Sequence, residues 1–369
     1  MILVHHLFIF LHIFDEKGEI VHMKAAVWYA KHDVRVEERS IPEAGPRQVQ
    51  IQVEFAGICG SDLHAYHHGV GIQEGSEHPL SKQKAPLTLG HEFSGKVSAL
   101  GEGVSGISIG DRVVVEPLYH CGQCEYCIQG KYNQCSQFGF VGLNGDGGFA
   151  NYVVVEDYMV HRLPEQVSYE EAALVEPTAV AFHAVRHSKL KVGQKVAVYG
   201  AGPIGLLTVL AAKAAGAAEI YAVDVFDERL DLAAQLGAIP VNSANVNATE
   251  VITSRSGGID VAFEAAGVQP TINSAVSVVK KGGEVVVVAA IPEPLQLNFF
   301  ELLVKEANVT STLAYRHIFP EVLALIASGA LDVKPIITKK IKLDDIVEEG
   351  LELLMKDKRH AKILVQIGS

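Results

Sequence analysis

Two hydrophobic rhythms divide this chain. Residues 24–28, 34–38 and 48–56 are short runs rich in Val, Ile and aromatics, separated by Pro42, Gly45 and Pro46, which predicts an all-β region. From Val192 onward the pattern changes. Apolar, β-branched runs at 195–199, 220–223, 261–265, 284–289 and 309–313 alternate with helical spans, the signature of a parallel, doubly wound α/β sheet. Between the two regions, 153–162 predicts a strand pair, and 169–188 a helical segment with Glu176 beside Pro177. After them, 319–328 and 346–356 predict amphipathic helices and 361–366 a final strand.

The most informative stretch lies inside the second region. The strand 195–199 passes directly into Gly200-Ala201-Gly202-Pro203-Ile204-Gly205, an Ala/Leu-rich helix follows, and the strand after it ends on Asp224. In this pattern the first glycine makes the tight turn, the second lets the backbone approach a pyrophosphate, and the third lets helix and sheet pack closely. The helix N-terminus then carries the phosphates. Asp224 stands ~20 residues past the last glycine, where a carboxylate accepts bonds from a ribose 2′-hydroxyl and repels a 2′-phosphate, so NAD is expected rather than NADP. Ala265-Ala266-Gly267, after the next strand, permits close approach to the same cofactor through Ala266.

Composition narrows the classes. The 369 residues are 49% hydrophobic, enough for two domains and a large core, and the net charge of −12 includes no Lys/Arg-rich run. Nucleic acid and anionic membrane partners are therefore not expected. The five cysteines, Cys59, Cys121, Cys124, Cys127 and Cys135, are odd in number and concentrated, which points to metal ligation in a reducing cytoplasm rather than a disulfide framework. Residues 1–22 differ in character from the rest, too short to span a bilayer and without a basic n-region or cleavage site. Lys17-Gly18-Glu19 is what a purine-rich ribosome-binding sequence would encode, so translation is expected to begin at Met23.

Candidate metal ligands fall in two groups. Cys59, in Cys59-Gly60-Ser61-Asp62-Leu63-His64, and His91, in Gly90-His91-Glu92-Phe93-Ser94-Gly95, are good Zn²⁺ ligands on adjacent loops, each flanked by an acid. Cys121, Cys124, Cys127 and Cys135 form C-x₂-C-x₂-C-x₇-C, which suits a closed tetrahedral zinc site; ligand type alone also admits a redox C-x-x-C or an iron–sulfur cluster.

Gly90-His91-Glu92 with Gly95, Gly101 and Val104 at their spacings resembles the signature of zinc-containing medium-chain alcohol dehydrogenases. The resemblance implies a GroES-like catalytic domain joined to the Rossmann domain, and two zinc ions per chain, one catalytic and one structural in the cysteine lobe. It implies that Cys59 and His91 bind the catalytic ion, that Asp62 orients His91, and that Ser61 and His64 relay the alcohol proton outward. Leu174-Val175-Glu176-Pro177 is similar to the polyol dehydrogenase branch, so Glu176 is the expected third ligand and Glu92 an adjacent acid able to exchange with it. Arg229 resembles the family's basic residue at the cofactor ribose; a solvated helix charge is the plain alternative.

The implied organisation is an extension at 1–22, a catalytic domain at 23–176, a dinucleotide domain at 177–316 and a return segment at 317–369 completing the first domain. Residues 66–86, 85–95, 140–152 and 311–316 resemble bacterial 2,3-butanediol dehydrogenases in particular. The implied activity interconverts 2,3-butanediol and acetoin, and acetoin with diacetyl, in a homo-oligomer, dimer or tetramer. Sorbitol and L-threonine 3-dehydrogenases are the alternatives, and a zinc-free quinone-reductase-like relative is a distant one.

Overall fold

A seven-stranded sheet and a six-stranded sheet carry most of the chain, in a computed structural model that describes residues 22–69, 71–72, 75–291 and 293–368. The expectation for the N-terminal extension therefore lies outside the described residues, apart from His22, which opens the strand His22–Ala30.

The first sheet runs Val160–Arg162, Arg112–Val115, Glu92–Leu100, Gln48–Gly57, Lys362–Gln366, Ile337–Lys342, with Tyr152–Glu156 also pairing Gln48–Gly57. All these pairings are antiparallel except the one between the two C-terminal strands. One register matters most: Gly57 pairs with Glu92 where the central strands Gln48–Gly57 and Glu92–Leu100 meet. The chain leaves the sheet after Gly57 and enters it at Glu92, so Cys59 and His91 issue from the same end. A Cβ on Gly57 would stand 2.2 Å from Glu92 Oε2, so only glycine leaves room for that carboxylate.

The second sheet is all parallel. Its order is Ile239–Asn242, Glu219–Asp224, Lys195–Tyr199, Ile259–Glu264, Val279–Val287, Asn308–Ser311, which is 3-2-1-4-5-6 in chain order. The strand Ile239–Asn242 is absent from the sequence expectation because Pro240 and its short length weaken the pattern. The order reverses beside Lys195–Tyr199, and such a switch point is where open α/β sheets bind ligands.

The helix Val175–His187 crosses position 176/177 and packs on Pro203–Ala214, while Phe319–Ala327 joins the same apolar core as Val196 and Val198. The chain re-enters the first sheet at Ile337–Lys342 and Lys362–Gln366. The segment expected as one helix at 346–356 is a π-helix, Ile346–Glu352, continued by a short α-turn, Leu353–Lys356.

Candidate active site

The helix Gly60–His68 starts directly from Cys59, which serves as its N-cap. Asp62 secures that start by accepting the Cys59 N–H on Oδ2 at 2.9 Å. Its other oxygen, Oδ1, lies 3.6 Å from His91 Nδ1, and neither atom has a hydrogen-bond partner although both are buried. Asp62 thus faces the imidazole from behind. His91 Nε2, on the other side of the ring, is 3.2 Å from Ser61 Oγ.

Cys59, His91 and Glu92 each place one ligand atom within 4.8 Å of the others. Glu176 is not among them. The expected third carboxylate, Glu176, is a buried neighbour of His91 and Glu92, and burial raises its pKa to about 7, against the pull of His91 and with reinforcement from Glu92. The Tyr315 hydroxyl adjoins it, and burial and the Glu176 carboxylate hold that buried phenol well above its usual range. Burial disfavours a charge on His91, yet the anions of Asp62 and Cys59 outweigh it and hold the imidazole well above its usual range. A thiolate, an imidazole and a carboxylate in a pocket that attracts positive charge fit Zn²⁺.

Sequence reasoning missed one member of this centre. Lys362, on the return strand and 1% exposed, donates from Nζ to both oxygens of Glu92 at 2.8 and 2.6 Å and to Ile58 O at 2.9 Å. The signal available was a lysine at the start of the otherwise apolar run Ile363-Leu364-Val365.

The relay residues share one helix. Ser61 and His64 are half-buried, and the His64 ring lies 5.8 Å, centroid to centroid, from that of exposed His68. His64 and His68 share one face of the helix, because positions four apart are neighbours.

In the cysteine lobe, Cys121 Sγ is 4.0 Å from Cys127 Sγ, and Cys124 Sγ is 3.9 Å from Cys135 Sγ, with no disulfide. Thiolates on a tetrahedral ion with ~2.3 Å bonds stand ~3.8 Å apart, so these two pairs already have nearly that spacing, and all four sulfurs lie within 4.8 Å of one another. Backbone N–H groups point at them, including Cys121 N to Cys135 Sγ at 3.2 Å and Cys124 N to Cys121 Sγ at 3.3 Å. The N–H groups of Ser136 and Cys127 pull the Cys124 thiol down to about 6, while burial pushes Cys127 up to about 12. The same geometry fits structural zinc with no open position.

At the glycine turn, Gly200 has φ +93°, and a Cβ on Gly205 would meet Gly200 O at 1.7 Å, so tight turn and close packing both require glycine. A Cβ on Gly202 would meet nothing within 4 Å, which leaves open space at the N-terminus of the helix Pro203–Ala214. Pro203 opens that helix, where its missing N–H costs nothing, and Ile204 follows it. Ala266 closes the opposite wall, its Cβ 2.9 Å from where a Gly200 side chain would begin. Asp224 ends its strand, buried, accepting from Ala201 N and Val225 N at 2.7 Å each. Arg229 is anchored rather than solvated: NH1 lies 3.6 Å from Asp224 Oδ2, Nε donates to Lys358 O at 2.7 Å, and the guanidinium covers Phe226.

Comparison with known proteins agrees with this geometry. The alcohol dehydrogenase GroES-like domain matches residues 45–165, and the zinc-binding dehydrogenase domain matches 203–328. The chain is 45% identical to (R,R)-butanediol dehydrogenase of Bacillus subtilis (strain 168) over 93% of its own length and 99% of the relative's. The crystal structure of the 2R,3R-butanediol dehydrogenase from Bacillus subtilis superposes with a TM-score of 0.89, covering 94% of this chain and 100% of that one. Sorbitol dehydrogenase of Bacillus subtilis (strain 168) is 36% identical over 89% of this chain and 94% of its own. A zinc-binding dehydrogenase of Sinorhizobium meliloti 1021 bound to NADP is 31% identical with a TM-score of 0.86, covering 94% of this chain and 99% of that one.

Proposed function

The chain belongs to the zinc-binding alcohol dehydrogenases, and on that premise we propose that it interconverts 2,3-butanediol and acetoin with NAD(H), and acetoin with diacetyl, holding two zinc ions per chain. The observation that carries the chemistry is the convergence of Cys59, His91 and Glu92 beside Ser61, and the 45% identity to a butanediol dehydrogenase carries the substrate.

Bound there, Zn²⁺ supplies Lewis-acid polarisation of an alcohol oxygen, and a nicotinamide cofactor at the glycine turn supplies the hydride acceptor. The protein's own part is positional and protonic. Cys59 Sγ and His91 Nε2 hold the ion, Asp62 fixes the imidazole, and Glu92 completes the donor set while Lys362 balances its charge. Glu176 is the second carboxylate, able to exchange with Glu92. Ser61 Oγ receives the substrate hydroxyl proton and passes it toward His64, whose ring type loads and releases protons near neutrality. His68 is the exposed end of that path. Cys121, Cys124, Cys127 and Cys135 hold the structural ion.

Asp224 is the basis for NAD over NADP, since a buried carboxylate opposes a 2′-phosphate. A homo-oligomer is supported by Phe299, Phe300 and Leu303, 73, 74 and 71% exposed, beside the free edge of Asn308–Ser311. Among the described residues no helix is long and apolar enough to cross a membrane, and the thiol-rich ligand sets suit a cytoplasmic setting. The decisive test compares kcat/KM with NAD for butanediol stereoisomers, sorbitol and L-threonine, alongside the zinc content of active protein. A butanediol stereoisomer should lead and zinc should approach two ions per chain; preference for sorbitol or threonine would transfer the assignment to that branch.

A further inference from the structure

Outside this centre, His32, His67 and Glu352 each present one ligand atom within 4.8 Å of the others. They come from three separate parts of the chain: the turn after His22–Ala30, the last turn of the helix Gly60–His68, and the end of the π-helix Ile346–Glu352. We propose that these two imidazoles and one carboxylate form a third metal site, open to solvent at its remaining position, for a divalent ion of the zinc type.

Several independent features support a site over a chance meeting. His67 Nε2 is buried and has no hydrogen-bond partner, a state that disfavours folding unless something outside the chain satisfies the atom. The His32 and His67 rings meet edge to face with centroids 4.6 Å apart. His32 adopts φ +60°, which a residue with a Cβ rarely takes, and strain of this kind concentrates at ligand clamps. Its N–H donates to Tyr66 O at 2.7 Å, tying the turn to the helix that carries His67.

Glu352 is oriented as metal-binding carboxylates usually are, by a hydrogen bond to one oxygen: Tyr66 Oη donates to Oε1 at 2.9 Å. Lys356 holds the other oxygen at 3.1 Å, but its side chain is 75% exposed and can swing into water when an ion arrives. The π-helix itself is a rare backbone form found frequently at functional sites, and here it delivers Glu352. The donor set decides the ion. Mg²⁺ and Ca²⁺ prefer all-oxygen shells, whereas two imidazoles with one carboxylate suit zinc and its neighbours in the first transition row.

The experiment uses tag-free holoenzyme retaining its tightly held zinc, titrated with ZnCl₂ by calorimetry and followed by Tm. His5, His6 and His12 can also take up zinc, so the readout is the difference between wild type and variants. H32N keeps a residue tolerant of positive φ, E352Q keeps an acceptor for Tyr66, and H67Q removes the third donor. Wild type should bind one equivalent more than each variant, with a zinc-dependent rise in Tm that all three lose. Equal uptake by wild type and variants, or an equal response to MgCl₂, would overturn the proposal.

Discussion

Lys362 Nζ lies 2.6 Å from Glu92 Oε2, and both side chains are sealed from solvent although 270 residues separate them in the chain. Burial disfavours the ammonium charge, and Glu92 more than offsets it, holding Lys362 above the usual lysine range. The pair joins the return strand to the candidate metal centre, whose proposed ligands all precede position 177.

Removing one member of a buried pair strands the other, at a cost of about 3–5 kcal/mol. K362M should therefore lower Tm sharply and weaken zinc retention, whereas K362R should preserve much of both. Thermal unfolding with metal analysis checks this, and a K362M protein with native Tm and zinc would refute the role.

The raised pKa of Glu176 should make the stability of zinc-free protein depend on pH. Its carboxyl titrates near 4.5 in an unfolded chain and at about 7 in the folded one. Between those values the folded state holds a proton that the unfolded state has released, so stability falls as pH rises through the window and levels off above it. After EDTA treatment, E176Q should lose less Tm than wild type across that interval. Identical slopes for the two proteins would exclude Glu176 as the source.

Cofactor choice should rest on Asp224. D224S keeps an acceptor near Ala201 N but removes the charge, and should raise the ratio of NADP to NAD kcat/KM by on the order of 10-fold or more, the factor that about 1.4 kcal/mol commands. An unchanged ratio would move discrimination to another residue.

His64→Gln should leave zinc and NAD bound while slowing turnover at neutral pH by roughly 10- to 100-fold, the usual reach of acid–base help. The deficit should shrink at higher pH or with a small soluble buffer able to carry the proton. A variant with wild-type rate and pH profile would show that the proton leaves by another route.

Much of this protein was legible in the chain itself because its signals are local. The glycine turn between strand and helix, the strand ending on Asp224 and the four-cysteine spacing each depend on residues close in sequence, where period, turn chemistry and ligand geometry act directly. The two-domain architecture followed from the change of hydrophobic rhythm. Tertiary structure decided what depends on register between distant strands. The pairing of Gly57 with Glu92 brings Glu92 to Cys59 and His91, a meeting that spacing along the chain does not show. The partnership of Lys362 with Glu92, and of His32 and His67 with Glu352, likewise arise only when the C-terminal segment folds back, because a side chain's neighbours across a sheet or between helices leave no periodic trace in the sequence.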